Sequence, residues 1–164
     1  MITVAVLTLS DKGAQGERAD LSGPLISEML LRIGAEVRYS EILPDEKGII
    51  RDKLKDYSGK VDLILTTGGT GLSPRDQTPD ATLEIIDRPV PGIAEAMRIE
   101  GLTHTPRAML SRAVAGLRGH CLIINLPGSP KAVKESLGAV LDVIPHAIEK
   151  SKGDPSECAP LNSK

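Results

Sequence analysis

The sequence predicts an α/β protein with three layers, in which a mostly parallel sheet carries helices on both faces. Four short apolar runs, at residues 2–9, 35–43, 61–66 and 121–126, have the length and composition of buried strands. Stretches with apolar residues at helical spacing separate these runs. Such alternation of strand and helix is typical of parallel sheets joined by right-handed crossovers, and the 164-residue length corresponds to one domain.

Helical periodicity is visible between and after the predicted strands. Residues 24–33 place apolar side chains at helical spacing, and Gly34 follows as a predicted C-terminal cap. Residues 45–57 and 129–150 give two further amphipathic patterns, and Pro145 predicts a kink or a division in the second of them.

The last part of the chain has no periodicity. Residues 153–164 hold two prolines, and we expect them to form a flexible tail after a domain of residues 1–152. No internal repeat and no linker is visible within that domain.

Composition argues against several classes of function. Two tyrosines are the only aromatic residues, so a surface that stacks the bases of single-stranded nucleic acid is not expected. The formal net charge of −2, from 20 Lys and Arg against 22 Asp and Glu, gives no global field that would attract nucleic acid or an anionic membrane.

The N-terminus and the cysteines indicate the compartment. The first residues lack the basic segment and cleavage site of a secretory signal, and no apolar run approaches the roughly 20 residues that span a bilayer. Cys121 and Cys158 have no neighbouring Cys or His at ligand spacing, which predicts neither a zinc site nor a disulfide framework. We therefore expect a cytoplasmic protein without a membrane segment.

The most unusual stretch follows the third predicted strand and reads TTGGTGLSPRDQTPDAT. Ligands of such sheets collect beyond the carboxyl ends of the strands, and three glycines in four positions let backbone N–H groups approach a phosphate. The stretch matches neither the P-loop nor the dinucleotide-binding pattern. Thr78 is placed to cap the next helix with Pro79 at its first position, and that helix start would favour anions.

Asp76 lies between the glycines and this helix start, where the chain is otherwise arranged for negative charge. A carboxylate beside phosphates is best explained by a cation between them, and magnesium is commonly held by one or two carboxylates with phosphate oxygens and waters. The alternative is a tight turn in which Asp76 hydrogen-bonds its own backbone. We expect magnesium at Asp76.

Four strings together resemble a known family. They are GGTGLSPRDQTPDAT, PGIAEAMR, AMLSRAVAGLRG and INLPGSPKAV, and they are similar to the MogA-type molybdopterin adenylyltransferases, which include the G domains of plant and animal molybdenum-cofactor proteins. The resemblance covers residues 2–150 in one uninterrupted order. It implies a homotrimeric enzyme that transfers AMP from magnesium-ATP to the terminal phosphate of molybdopterin and releases pyrophosphate.

The resemblance also implies roles for individual residues. Two family aspartates that are linked to catalysis and to magnesium fall on Asp45 and Asp76. Nucleotide binding is implied for the glycine stretch at Gly68, Gly69, Thr70 and Gly71. Molybdopterin binding is implied for Ser10, Asp11, Ser22, Gly23, Ser111, Asn125, Pro127, Gly128 and Ser129.

Several alternatives stay open. The small residues before Pro24 and Pro130 suit either a substrate phosphate or ordinary capping of a helix. A MoaB-type paralogue would share the glycine stretch and the fold, whereas the strings LSR and LPGSPKA and the presence of Asp45 favour the adenylyltransferase. A non-catalytic trimeric molybdopterin-binding or scaffold module is the alternative from another class. A flavodoxin-like carrier is disfavoured because no ring-stacking or dinucleotide motif is present. Further expectations are phosphate contacts from Arg75, Arg112 or Lys131, and a partner in the molybdate-insertion enzyme of the pathway.

Overall fold

The computed structural model describes residues 1–156 and builds them around one six-stranded sheet. The strands are β1 (Ile2–Leu9), β2 (Ala35–Leu43), β3 (Leu63–Thr67), β4 (Arg88–Pro89), β5 (Ala115–Arg118) and β6 (Cys121–Leu126). Their order across the sheet is β2-β1-β3-β6-β5-β4. The first four in this order are parallel, and β5 and β4 add an antiparallel edge. The predicted fold class is confirmed.

Seven α-helices connect and cover the strands in the described residues. They are α1 (Asp11–Ala14), α2 (Ser22–Leu30), α3 (Lys47–Ser58), α4 (Thr78–Leu83), α5 (Pro91–Leu102), α6 (Pro130–Val140) and α7 (Ile144–Ser151). Gly34 ends the first predicted helix at φ 64°, the left-handed conformation expected of a C-terminal cap. The predicted division of the last helix is present, and a 3-10 turn at Leu141–Val143 forms it just before Pro145.

Side chains alternate between the two faces of the sheet and separate the core into two halves. Val4 and Val6 of β1 face α2, α5, α6 and α7. Ala5 and Leu7 face the other way, toward α3 and α4. Because successive residues of a strand point to opposite faces, this strand, buried on both sides, is apolar at nearly every position, as parallel strands are.

The antiparallel edge was not predicted from the sequence. Its two strands span only two and four residues, which is too short for periodicity to show. Gly116 sits where a Cβ atom would lie 2.9 Å from the carbonyl oxygen of Arg88 and 2.7 Å from Ile86 Cδ1, so close approach of neighbouring backbone requires glycine there.

The end of the described chain returns to the last helix. The Lys150 ammonium donates a hydrogen bond to the Asp154 carbonyl oxygen at 3.3 Å. Residues 157–164 of the predicted tail lie outside the described residues, so the tail stays a prediction. Across residues 1–156 no helix has the length and apolar character needed to cross a membrane.

The sheet order fixes where a ligand can bind. From β1 the chain continues to β2 at one edge of the sheet, whereas from β3 it continues to β4 at the opposite edge. The connections therefore part between β1 and β3, and a crevice forms beyond the carboxyl ends of these two strands.

Candidate active site

A polar recess of about 450 Å³ opens at this crevice. Eight of the residues implied by the resemblance line this polar recess: Ser10, Ser22, Asp45, Gly68, Gly69, Asp76, Gly128 and Ser129. The structure thus brings together residues that follow β1, β2, β3 and β6.

The glycine loop, residues 68–71, forms the floor between β1 and β6. Gly68 and Gly69 have φ values of 97° and 67°, which side chains rarely adopt. A Cβ atom on Gly68 would lie 2.5 Å from the carbonyl oxygen of Leu9, and one on Gly69 would clash with Thr78 Oγ1. The loop therefore has the backbone conformation and the close packing that only glycine permits.

Asp45 and Asp76 each leave one carboxylate oxygen without a hydrogen bond in the described part of the chain. Asp45 Oδ2 accepts the backbone N–H of Asp11 at 3.0 Å, and Asp76 Oδ2 accepts that of Ser73 at 3.1 Å. Burial raises the pKa of the Asp45 carboxyl, and the negative charges of Asp11 and Asp76 add to this rise. Two carboxylates with unused oxygens in one recess favour a cation.

Thr78 borders Gly69 on the side where Asp45 lies. It is fully buried, and its hydroxyl has no hydrogen-bond partner within residues 1–156. The prediction that Thr78 caps the following helix is therefore wrong: it is the first residue of α4, and its Oγ1 accepts no N–H. A Cβ atom on Gly69 would meet both Thr78 Oγ1 and, at 3.2 Å, Asp45 Oδ1, so these two oxygens border the same space.

This donor set suits magnesium that arrives with a nucleotide. Within the described residues no group of three or more His, Cys, Asp or Glu side chains is arranged to hold a metal ion alone. Magnesium commonly takes one or two carboxylates and completes its shell with phosphate oxygens and waters. Asp45 and Asp76 fit that demand, and the orphan hydroxyl of Thr78 fits a ligand that supplies further oxygens.

Arg112 holds the glycine loop from the opposite side. Its backbone N–H donates to the Thr70 carbonyl oxygen at 2.8 Å, and its Nε donates to that of Gly71 at 2.9 Å. Its two terminal nitrogens bind the Asp80 carboxylate at 3.1 and 3.2 Å, and one of them also binds the Asp76 carbonyl oxygen. Arg112 therefore has internal partners, and its expected phosphate contact stays a prediction.

The implied molybdopterin residues are not all in one place. Ser111 and Pro127 line a second, apolar recess of about 280 Å³, together with Thr70 and Gly71. The glycine loop separates this apolar recess from the polar recess. Asn125 lines neither recess.

Asn125 is fully buried and uses its side chain inside the protein. Its Oδ1 accepts the backbone N–H of Val114 at 3.2 Å, and its Nδ2 donates to the hydroxyls of Thr66 and Thr82 at 3.0 Å each. This network supports β3 and α4 beneath the glycine loop.

All four of the implied serines also have internal partners, and Ser111 Oγ accepts the backbone N–H of Ala113 at 3.3 Å. Ser10 and Ser129 accept the N–H groups of Gly13 and Ala132 at 3.0 and 3.2 Å and so cap α1 and α6. Ser22 donates to the Gly128 carbonyl oxygen at 2.8 Å. The capping alternative for the residues before Pro130 is therefore realised at Ser129.

Asp20 and Thr8 belong to the polar recess but were missed in the sequence. One oxygen of Asp20 accepts the N–H groups of Ser22 and Gly23 at 3.1 and 2.9 Å, and the other accepts the Thr8 hydroxyl at 2.8 Å. A Cβ atom on Gly23 would clash with Asp20. The signal was present, because aspartate is favoured at helix starts, where its side chain accepts the N–H groups two and three residues later, as Asp20 does from Ser22 and Gly23.

Comparison with known proteins decides the family. Residues 5–146 match the model of a family described as probable molybdopterin binding domain. The molybdopterin adenylyltransferase of Helicobacter pylori (strain ATCC 700392 / 26695) is 41% identical over 157 residues, which are 93% of this chain and 89% of that protein. The chain belongs to the MogA and MoaB family.

Solved structures of the MogA and MoaB family share the fold. MoaB from Thermus thermophilus is 53% identical with a TM-score of 0.88 and covers 96% of this chain and 100% of its own. A MogA structure is 39% identical with a TM-score of 0.86 and covers 91% and 99%.

Two eukaryotic relatives are much longer. The molybdenum cofactor synthesis protein cinnamon of Drosophila melanogaster is 41% identical over 90% of this chain. The chain spans about a quarter of the length of cinnamon and of gephyrin from Dictyostelium discoideum.

Proposed function

We propose that this chain is a molybdopterin adenylyltransferase, which transfers AMP from magnesium-ATP to a phosphate of molybdopterin during molybdenum-cofactor biosynthesis. The observation that carries this proposal is the pair of open carboxylate oxygens, on Asp45 and Asp76, beside the left-handed glycine loop. The similarity to the molybdopterin adenylyltransferase of Helicobacter pylori supports the same reaction.

The proposed step is an in-line displacement at the α-phosphorus of ATP. An oxygen of the molybdopterin phosphate forms the new bond to phosphorus, and the bond to the bridging oxygen of pyrophosphate breaks. Because the attacking phosphate is already anionic near neutral pH, the step requires no general base. Positioning by the glycine loop and electrostatics then account for most of the catalysis.

Magnesium would be held by Asp76 and Asp45 and would draw negative charge from the leaving pyrophosphate. The backbone N–H groups of Gly69, Thr70 and Gly71 would bind the phosphates, whereas that of Gly68 already donates to the Leu126 carbonyl oxygen at 3.1 Å. Arg112 keeps that backbone in place from behind.

The two recesses suggest where each substrate lies. Both border the glycine loop, so a phosphate on the loop is accessible from either side. The apolar recess includes Ala94, Met97 and Leu110 and suits the adenine ring, because heteroaromatic rings bind against apolar side chains. The polar recess, with Ser10, Ser22, Gly128 and Ser129, is left for the molybdopterin phosphate and its pterin.

We further propose a homotrimer that acts in the cytoplasm. Apolar side chains on α5 and on the 3-10 segment that follows it are 45–66% exposed, and burial between subunits would remove them from water: Ile99, Leu102 and Met109. Light scattering on a sizing column measures the state, and a monomer would contradict the trimer. Handover of the product to a molybdate-insertion enzyme is expected to use the assembled protein.

The reaction is tested by incubating the purified protein with molybdopterin and magnesium-ATP and detecting adenylylated pterin by mass. We expect product from the wild type, none from Asp76→Asn with an unchanged melting temperature, and normal product from Asp142→Asn. Asp142 is the matched control because it is exposed and lines neither recess.

Two outcomes would redirect the proposal. Full activity of Asp76→Asn would contradict the magnesium role of that carboxylate. Folded wild type that binds molybdopterin but forms no adenylylated product would favour the MoaB-type or binding-module alternative.

A further inference from the structure

Asp11 and Asp45 hold each other through a reciprocal pair of hydrogen bonds. The backbone N–H of Asp11 donates to Asp45 Oδ2 at 3.0 Å, and the backbone N–H of Asp45 donates to Asp11 Oδ1 at 2.9 Å. The two residues follow different strands, β1 and β2. The direction in which the Asp45 carboxylate points is therefore set by Asp11.

Arg75 completes the connection to the glycine loop. Its Nε binds Asp11 Oδ2 at 3.0 Å, and its Nη2 lies 2.8 Å from each carboxylate oxygen. The next residue in the chain is Asp76. One chain of contacts thus links Asp45 to Asp76 by way of Asp11 and Arg75.

The ion pair is exposed, which limits its value for stability. The Arg75 side chain is 58% exposed and that of Asp11 is 35% exposed. Exposed ion pairs contribute little to folding, so stabilisation of the fold does not explain this arrangement. Neither residue lines the polar recess or the apolar recess, so direct contact with a substrate does not explain it either.

Electrostatic repulsion between the carboxylates explains why Arg75 is paired with Asp11. Asp45 is close enough to both Asp11 and Asp76 to be repelled by them, and Arg75 is the cation that binds Asp11 and lies near Asp45. Without Arg75, repulsion would favour a larger separation of the carboxylates, because like charges at short range are destabilising. With it, Asp45 and Asp76 each keep an open oxygen in one recess.

We propose that Asp11 and Arg75 are positioning residues that set the separation of Asp45 and Asp76, so that both carboxylates reach one magnesium ion. This inference rests on the proposed function. It differs from the roles of a molybdopterin ligand for Asp11 and a phosphate ligand for Arg75. A partner that orients a metal-binding carboxylate affects metal affinity while it touches no substrate.

The test measures how strongly magnesium increases nucleotide affinity in the full chain without molybdopterin. Binding of α,β-methylene-ATP is titrated by calorimetry with magnesium and again with EDTA, and the ratio of the two Kd values is the magnesium enhancement. We compare wild type, Asp76→Asn, Arg75→Gln, Asp11→Asn and the double variant of Asp11 and Arg75. Arg38→Gln is the matched control, since Arg38 also forms an exposed ion pair, with Glu36.

We expect Arg75→Gln and Asp11→Asn each to reduce the magnesium enhancement by about tenfold or more, with unchanged Kd in EDTA and an unchanged melting temperature. The double variant should lose no more of the magnesium enhancement than the more severely affected single variant, because both residues act through one connection. Arg75→Lys should retain part of the enhancement, as a point charge without the planar fork. Arg38→Gln should match wild type.

Each other outcome has a distinct meaning. A weaker Kd in EDTA for Arg75→Gln would identify Arg75 as a phosphate ligand and overturn the inference. Full enhancement in the Asp11 and Arg75 variants, with loss in Asp76→Asn, would overturn the inference and leave the proposed magnesium site intact. No enhancement in wild type would overturn both.

Discussion

Thr78 carries the only buried side-chain oxygen or nitrogen of residues 1–156 that lacks a hydrogen-bond partner. A buried unsatisfied hydroxyl costs about 1–3 kcal/mol, so its retention indicates a role other than folding. We predict that Thr78→Val leaves the free energy of unfolding unchanged or raises it by about 1 kcal/mol. The same variant should bind magnesium-nucleotide less tightly, as measured by calorimetry.

Thr82 provides the control for this prediction. Its buried hydroxyl donates to the Thr78 carbonyl oxygen at 2.9 Å and accepts from Asn125 at 3.0 Å. Thr82→Val should therefore destabilise the protein by about 1–2 kcal/mol, as measured by urea denaturation. Equal destabilisation by the two variants would show that Thr78 has a partner in solution.

At the residue scale, the sequence showed which side chains were unusual but not what they touch. Asp76 was found from its place between the glycines and a helix start, Asp45 was found from the family resemblance, and the structure brings both to one recess. The internal roles of Asp11 and Arg112 were not visible. Each depends on partners more than 30 positions away in the chain, and sequence spacing gives no information about such contacts.

Among the structural elements, the glycine loop depends most on one distant residue. Arg112 binds the carbonyl oxygens of Gly71 and Asp76 and both oxygens of Asp80. A lysine has a single charged nitrogen and cannot make these contacts at once. We predict that Arg112→Lys lowers the free energy of unfolding by about 1–3 kcal/mol and increases hydrogen exchange at residues 70–76, whereas unchanged exchange there would contradict this role.

The start of β1 is tied to the start of β3 by Asp62. Its carboxylate accepts the N–H and hydroxyl of Thr3 at 2.9 and 3.0 Å and pairs with Lys152 at 2.6 Å. Burial alone would raise the pKa of Asp62, but the bonds from Lys152 and Thr3 outweigh it and lower that pKa. A carboxyl whose pKa is lowered in the folded state stabilises the fold at pH values above its unfolded-state pKa of about 3.9. This stabilisation is lost as the pH falls from there through the folded-state pKa.

The lowered pKa of Asp62 predicts how the stability of the variant Asp62→Asn depends on pH. The variant should melt below wild type at pH 7, and the difference in melting temperature should shrink as pH falls below about 4. Calorimetry between pH 7 and pH 3 measures it. A difference that grows toward pH 3 would mean that the charged form of Asp62 is unfavourable in the folded protein.

Elements were predictable where burial imposes a long pattern. The parallel strands β1, β2 and β6 have the bounds expected from their apolar runs, and β3 begins two residues later than expected. The helix α5 was missed in the sequence because few of its residues are buried, namely Ile93, Ala94 and Met97. The strands β4 and β5 depend on pairing with β6 rather than on their own composition.

At the scale of the whole molecule, the sheet order determines which loops meet. Alternating strands and helices predicted the class, but the sequence did not predict that β3 lies between β1 and β6. That order brings together the loops after four strands at one crevice. It also places the glycine loop between the polar recess and the apolar recess, which is the basis for the proposed transfer between two substrates.

The central claim is that AMP, and not the terminal phosphate, moves to molybdopterin. The most direct measurement uses ATP labelled at either the α- or the γ-phosphate and follows the label after incubation with the protein, magnesium and molybdopterin. The account predicts that the α-label enters the pterin product and that the γ-label leaves in pyrophosphate. Transfer of the γ-label to molybdopterin, or no transfer of either label by folded protein, would contradict it.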